Sequence, residues 1–209
     1  MPVNPVFEID LERGPSEAVA VGARHVQRLM EAERRMAESQ YGADGRRQPR
    51  SVGIVGAGVM GASIAAAVVG RQIPVVLVDD DAQALATARA RISSWLGAGP
   101  AASGVPGADA DRLVRLGGLD EVAQCDVVIE SVAEKLALKQ QLLADLEPRL
   151  ADGAILASNT STISLARLSS PLRDPGRLCG CHFFLSIGQA PMIEIVRGEK
   201  TRPETIAAA

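Results

Sequence analysis

The chain has 209 residues and a formal net charge of −3, with 47% hydrophobic, 22% charged and only 2% aromatic residues. This composition is typical of one large folded domain, or of one domain with an appendage, and excludes an intrinsically disordered chain. No nucleic-acid partner is expected, because the chain lacks both an excess of positive charge to bind phosphates and the aromatic rings that stack on bases.

The cysteines and the first residues predict a cytoplasmic protein. Cys125, Cys179 and Cys181 are an odd set that cannot all pair in disulfides, which favours a reducing compartment. The amino terminus lacks the basic segment and apolar core of a signal peptide. The sequence has no run of about 18 apolar residues, so no membrane partner is expected.

The first fifty residues are predicted to form a segment of their own. Apolar residues recur every three or four positions between Ser16 and Gln40, which predicts a one-sided amphipathic helix. The stretch from Gly42 to Arg50 is polar and contains glycine and proline, so we expect a linker and a domain boundary at residue 50. The helix cannot bury its apolar stripe alone, so we expect it to dock on the following domain or on a partner.

From residue 51 onward, short apolar runs alternate with helical patterns. The predicted strands and helices are listed in chain order: a strand at 52–55, a helix at 60–69, a strand at 75–78, a helix at 82–96, a strand at 126–130, a helix at 135–150 and a strand at 154–157. Continuous apolar strands separated by helices indicate a mostly parallel sheet covered on both faces. Residues 97–110 are rich in glycine, proline, alanine and serine, which favours a surface excursion.

The last residues also carry a helix signal. Thr201 and Pro203 are typical of a helix start, with Thr201 as its cap. The few residues that follow are too short for a stable isolated helix, so we expect the chain to stop where another element should begin.

A glycine loop follows the first predicted strand and opens the first helix. In the segment Gly56-Ala-Gly58-Val-Met-Gly61, the first glycine permits a tight turn, the second lets the backbone approach a pyrophosphate, and the third lets the helix pack closely on the strand. The helix amino terminus supplies free N–H donors for the phosphates. The alternative, an incidental glycine-rich turn, is disfavoured by this strand–loop–helix context.

An acidic residue follows the second predicted strand. Asp79 follows Gly56 by about 20 residues, the spacing at which an acidic side chain binds both ribose hydroxyls of a dinucleotide. Asp80 and Asp81 follow, so a 2′-phosphate would meet three carboxylates, which favours NAD over NADP. Together these features predict a Rossmann-type, doubly wound α/β fold over residues 51–209.

One histidine lies in a setting that favours catalysis. A lone histidine is more often a packed or solvated residue, but His182 lies in the segment Cys179-Gly-Cys-His-Phe-Phe184, and Glu194 follows after a predicted turn between extended segments. A carboxylate beside the imidazole would fix its tautomer and stabilise the imidazolium. Such a pair next to a nicotinamide could take a proton from an alcohol while its hydride leaves. No metal is expected, because Cys179, Cys181 and His182 are too close in sequence to form a tetrahedral cage.

Four motifs in the same order resemble those of one family. They are Gly56-Ala-Gly-Val-Met-Gly61, Val127-Val-Ile-Glu-Ser-Val-Ala-Glu134, Ala157-Ser-Asn-Thr-Ser-Thr-Ile163, and His182-Phe-Phe184 with Glu194-Ile-Val-Arg-Gly198. Together they resemble the NAD-binding domain of L-3-hydroxyacyl-CoA dehydrogenases, over residues 51–209. The helix and linker before it resemble the junction of fatty-acid-oxidation enzymes that fuse an enoyl-CoA hydratase to this dehydrogenase.

The resemblance implies a role for each matching residue. His182 would be the general base that removes the 3-hydroxyl proton, Glu194 its orienting partner, and Ser161 a hydrogen-bonding partner of the substrate oxygen and the cofactor. The residues implied to bind NAD are Gly56, Gly58, Val59, Met60, Gly61, Asp79, Ala133, Glu134, Lys139 and Ser161.

Three of these residues also have a purely structural explanation. Ser161 could belong to a segment that only caps the next helix. Glu134 could complement the dipole at an exposed helix start, with Lys139 solvated beside it.

Two departures from the family pattern bear on activity. Family members carry Asn-Pro directly after His-Phe-Phe, whereas this chain has Leu185-Ser186, and an apolar side chain cannot replace the amide contacts. The family also continues into a helical domain that closes the acyl-CoA side of the cleft and forms the dimer. We therefore expect a homo-oligomer, or a partner chain that supplies the helical half.

Three hypotheses follow for the function. The first is NAD-dependent oxidation of L-3-hydroxyacyl-CoA to 3-oxoacyl-CoA. The alternative is a truncated or degenerate module that binds NAD without independent turnover, and a third is an interaction role of the N-terminal helix.

Overall fold

The computed structural model describes residues 49–97, 110–184 and 192–209. The predicted amphipathic helix at 16–40 and most of the predicted surface excursion at 97–110 lie outside these residues, as do Leu185 and Ser186. The described residues belong to one compact unit, Arg47–Ala209.

Strands and helices alternate along most of the described chain. The strands are β1 (Val52–Val55), β2 (Val75–Val78), β3 (Val114–Leu116), β4 (Val127–Glu130), β5 (Ile155–Ser158), β6 (Leu178–Phe184) and β7 (Met192–Val196). The helices are α1 (Val59–Val69), α2 (Ala82–Gly97), α3 (Ala110–Leu113), α4 (Leu119–Val122), α5 (Leu136–Leu146), α6 (Leu165–Leu168) and α7 (Pro203–Ala208), with 3₁₀ turns at Glu147–Arg149 and Pro175–Arg177.

The seven strands form one sheet in the order β3-β2-β1-β4-β5-β6-β7. All neighbouring strands are parallel except β6 and β7, which pair antiparallel. The order reverses at the β1–β4 pair, and a crevice at the carboxyl ends of the strands opens at such a point in doubly wound sheets. The predicted Rossmann-type α/β fold is thereby confirmed.

Helices bury both faces of the sheet, which explains the continuous apolar strands. On one face α1, α2, α3 and α7 cover a core that includes Ile54, Leu77 and Ile129. On the other face α4, α5 and α6 cover a second core that includes Val128 and Leu156. Strands β1, β4 and β5 are buried at every position, so their ends are held rigidly at the crevice.

Several boundaries differ from the sequence-based predictions. The helix predicted over 135–150 ends at Leu146, because the chain tightens into the 3₁₀ turn that contains Pro148. Thr201 was predicted to cap the last helix, which is wrong: Arg202 precedes α7, and Thr201 is buried, with its hydroxyl donating to the carbonyl of Leu178 at 2.6 Å.

The three cysteines are free and buried in the sheet layers. Burial raises the pKa values of Cys179 and Cys181 to about 12, so both thiols are protonated at neutral pH. In the described ranges, no helix combines the length and the apolar character needed to cross a bilayer.

Candidate active site

The glycine loop lies between β1 and α1, at the point where the strand order reverses. Gly56 has a φ of +104°, which side chains disfavour, and an added Cβ there would meet the carbonyl oxygen of Ser131 at 2.6 Å. An added Cβ at Gly61 would lie 1.8 Å from the carbonyl oxygen of Gly56, so the helix packs directly on the loop. At Gly58 an added Cβ would meet no heavy atom within 4 Å, which leaves the loop surface open for a pyrophosphate.

Asp79 lies at the end of β2, beside this loop. One of its carboxylate oxygens accepts a hydrogen bond from the backbone N–H of Ala57 at 2.6 Å, and the other accepts from the N–H of Asp81 at 3.0 Å. Partial burial acts to raise the pKa of Asp79, but these hydrogen bonds outweigh it and lower the pKa. The side chain is therefore an oriented carboxylate with acceptor capacity left for ribose hydroxyls.

The first helical residues complete the loop. Val59 is 50% exposed, whereas Met60 is partly buried and packs against the core on the α1 face of the sheet. Loop, helix start and carboxylate have the arrangement that binds a dinucleotide, and the residues present fit NAD.

Glu134 organises the loop that follows β5. One of its carboxylate oxygens accepts hydrogen bonds from the backbone N–H groups of Ser161 and Thr162, both at 3.2 Å, and from the hydroxyls of Thr160 and Thr162. Burial acts to raise the pKa of Glu134, but the threonine hydroxyls and the charge of Lys139 outweigh it and hold the pKa at about 2. Glu134 and Ser161, predicted separately, are thus in direct contact. Ala133, just before Glu134, is exposed.

Lys139 is not solvated. Its side chain is 1% exposed, and its ammonium lies 2.7 Å from the carboxylate of Glu130 and 3.3 Å from that of Glu134. Sequence reasoning missed Glu130, although a charged residue ending a buried apolar strand is a signal that could have revealed it. Burial raises the pKa of Glu130, while Lys139 opposes that rise.

His182 and Glu194 face each other across the antiparallel β6–β7 pair. They are directly opposed in the register, and Nδ1 of His182 lies 3.3 Å from a carboxylate oxygen of Glu194. The histidine side chain is 21% exposed and the glutamate 59%. The ring of Phe184 lies 4.2 Å from the imidazole, centroid to centroid. The structure brings the predicted pair together at the carboxyl end of β6, the edge of the sheet that also carries the glycine loop.

Asn159 is a second residue that the sequence reasoning missed. Its amide oxygen accepts a hydrogen bond from the backbone N–H of Phe183 at 2.9 Å, and its amide nitrogen donates to the hydroxyl of Ser131 at 3.2 Å. The side chain therefore ties the ends of β4 and β5 to the backbone next to His182. A polar residue directly after a buried strand was the available signal.

The helix-capping alternative for the segment that contains Ser161 does not match the structure. Helix α6 begins at Leu165 and is preceded by Ser164, so Ser161 lies before the helix start and is exposed. No group of three or more histidine, cysteine or acidic side chains among the described residues could hold a metal ion.

The mostly parallel sheet, the glycine loop and the carboxylate of Asp79 beside it are the features of a NAD-binding domain of the dehydrogenase class. Residues 51–209 match the family model described as 3-hydroxyacyl-CoA dehydrogenase, NAD binding domain, and the chain belongs to this family of NAD-dependent oxidoreductases.

Curated relatives and solved structures agree with this assignment. The fatty acid oxidation complex subunit alpha of Idiomarina loihiensis is 32% identical over 81% of this chain and 24% of its own length. The same subunit of Acinetobacter baylyi is 34% identical over 74% of this chain and 22% of its own. The chain therefore spans about a quarter of these relatives. The crystal structure of (S)-3-hydroxybutyryl-CoA dehydrogenase PaaH1 from Ralstonia eutropha has a TM-score of 0.70 at 32% identity, covering 77% of this chain and 58% of that one.

Proposed function

We propose that this chain catalyses the NAD-dependent oxidation of an L-3-hydroxyacyl-CoA to the 3-oxoacyl-CoA. The observation that carries the proposal is the contact between His182 and Glu194 on the edge of the sheet that also carries the glycine loop and Asp79. Bound NAD supplies the acceptor for the hydride that leaves the hydroxyl-bearing carbon.

In this proposal the protein's own groups handle the proton. Nδ1–H of His182 donates to Glu194, which leaves Nε2 as the acceptor for the 3-hydroxyl proton, and the carboxylate stabilises the resulting imidazolium. Ser161 donates a hydrogen bond to the substrate oxygen from the loop that Glu134 holds.

We also propose which part of NAD each of the remaining predicted residues contacts. The glycine loop, with Val59 and Met60, contacts the pyrophosphate, and Asp79 the adenosine ribose. Ala133 and Glu134 border the nicotinamide half, where Lys139 supports Glu134 from the interior.

The relatives suggest a partner for this chain. The two curated relatives are subunits of fatty acid oxidation complexes. We propose that a second copy or a partner chain covers the acyl-CoA side of this chain. Its three free thiols suit a cytoplasmic location.

Turnover of 3-hydroxybutyryl-CoA with NAD tests the proposal, with NADH followed by its near-ultraviolet absorbance. We expect His182→Ala to lower kcat by a factor on the order of 10² to 10⁴, the usual contribution of a general base. His25→Ala, which removes the other histidine, is the matched control and should retain activity. Equal rates for the wild type and His182→Ala would refute the assignment.

A second candidate is a module that binds NAD without turnover. The 59% exposure of Glu194 favours it, since water competes with the imidazole for that carboxylate. Calorimetry that shows NAD binding to a chain with no measurable NADH formation would establish this candidate, and turnover lost in His182→Ala would exclude it.

A further inference from the structure

The residue at the end of β4, Glu130, has no role in the mechanism above. We propose that Glu130 is a positioning residue for the nicotinamide half of the site, because it fixes Lys139 and, through it, Glu134 and the loop that carries Ser161. This inference rests on the proposed function and deepens it.

The first step is the buried ion pair. The side chain of Glu130 is fully buried and that of Lys139 is 1% exposed. Both oxygens of Glu130 lie near the ammonium, at 2.9 and 2.7 Å. A pair this far from water is held in one geometry, since either charge alone would be costly to leave unpartnered.

The second step is the saturation of the ammonium. Lysine has three N–H donors. Those of Lys139 face Glu130, the carbonyl of Val132 at 3.2 Å, and Glu134 at 3.3 Å. The ammonium therefore has no spare donor, and it acts on the crevice through the carboxylate of Glu134.

The third step is that the two carboxylate oxygens of Glu134 have different partners. One of its oxygens faces Lys139, and the other accepts the hydrogen bonds from the loop at residues 160–162. Because Lys139 fixes the first oxygen, the second is aimed at the backbone around Ser161. The position of this loop thus depends on the charge of Glu130.

A second connection runs from Glu130 to the same loop. The buried hydroxyl of Ser158 donates to Glu130, and its oxygen accepts from the backbone N–H of Thr160 at 3.2 Å. Glu130 therefore reaches the loop by two routes, one through Lys139 and Glu134 and one through Ser158. Apolar replacement of a buried ion pair is often neutral or stabilising, so stability alone does not account for this arrangement.

Glu130→Gln tests the inference, because it keeps the shape of the side chain and removes its charge. We expect kcat/KM for NAD to fall by about tenfold or more, as misplacement of a site by about 1 Å does. ADP-ribose, which lacks the nicotinamide and binds through the glycine loop and Asp79, should keep its Kd within about twofold. Glu147→Gln is the matched control: this buried glutamate accepts the backbone N–H groups of Arg173 and Asp174, away from the crevice, and its loss should leave both values unchanged.

Combined variants separate positioning from general damage. If Glu130 acts through Glu134 and Ser158, then Glu130→Gln adds little to the loss already caused by combining Glu134→Gln with Ser158→Ala. Additive losses, or equal weakening of NAD and ADP-ribose, would overturn the inference. If Glu130→Gln does not fold, Glu130→Asp replaces it, since it keeps the charge and withdraws the carboxylate from Lys139. It should weaken NAD selectively, and no selective loss would overturn the inference.

Failure of the proposed function would be seen in the wild-type chain, whereas failure of the inference about Glu130 would be seen only in the variants. If the wild-type chain binds NAD without turnover, the dehydrogenase assignment is wrong. The role of Glu130 is then decided by whether Glu130→Gln raises the Kd for NAD more than the Kd for ADP-ribose. A wild-type chain that binds neither molecule refutes both proposals.

Discussion

Gly58 precedes helix α1 and Gly61 lies in its first turn, three residues further on, but the two have opposite surroundings. A Cβ at Gly61 would overlap the backbone carbonyl of Gly56, whereas a Cβ at Gly58 would meet open space. Gly61 is therefore required by the fold, and Gly58 by whatever binds above the loop.

This contrast gives a prediction at the residue scale. We expect Gly61→Ala to lower the free energy of unfolding by about 3 kcal/mol, the upper end of overpacking penalties, as measured by urea denaturation. Gly58→Ala should unfold like the wild type but bind NAD about tenfold more weakly, a change of about 1.4 kcal/mol. Equal stability of the two variants would contradict this reading of the loop.

Sequence motifs identify some site residues and miss others for a physical reason. Asp79 and the glycines follow from local spacing, and His182 with Glu194 from two extended segments. Glu130 and Lys139 were not recognised as a pair, because their contact depends on how α5 folds back over the end of β4. Burial at that contact is a tertiary property that no local pattern encodes.

At the element scale, the β6–β7 pair decides whether the two proposed acid–base residues meet. Gly180 is opposite Val196 in the same ladder that pairs His182 with Glu194. An added Cβ at Gly180 would lie 2.8 Å from the Cβ of Val196, so β7 would have to move.

We therefore expect Gly180→Ala to lower kcat by about tenfold, since it displaces Glu194 from the imidazole, and to leave the Kd for NAD unchanged. The double variant Gly180→Ala with Val196→Gly removes the Cβ that causes the overlap and should recover activity; Val196 is 39% exposed, so little packing is lost with its side chain. Activity that stays low in the double variant, or a raised Kd for NAD, would show that the strand spacing is not the cause.

The sequence predicted the interior elements best. Strands β1, β2, β4 and β5 have uninterrupted apolar runs because helices cover both faces. Strand β3 was missed, since it has only three residues, two of them exposed, at the edge of the sheet. Its pairing with β2 comes from the sheet, and a run that short has no pattern of its own.

At the scale of the whole molecule, acid stability should depend on the carboxylates that the fold holds ionised. The pKa of Glu134 is about 2, below its ordinary value of 4.5. A lowered folded-state pKa contributes stability that is complete above pH 4.5 and is lost as the pH falls towards 2.

We expect the free energy of unfolding to fall with decreasing pH across this window, as measured by urea denaturation at each pH. Glu134→Gln should fall less steeply than the wild type between pH 4.5 and 2. Parallel curves for the two proteins would assign the acid sensitivity to other groups, such as Asp79 and Asp126, whose pKa values are also lowered.

The position of β7 at the end of the sheet has a consequence for how such a domain can evolve. Among the strands in the described ranges, the glycine loop and Asp79 are anchored on interior ones, while Glu194 is carried by the last strand of the sheet order, which pairs with β6. Substitutions in that strand are expected to abolish the proposed reaction and leave the nucleotide crevice intact. A lineage could therefore convert a member of this family from a catalyst into a sensor of nicotinamide dinucleotide without rebuilding its interior.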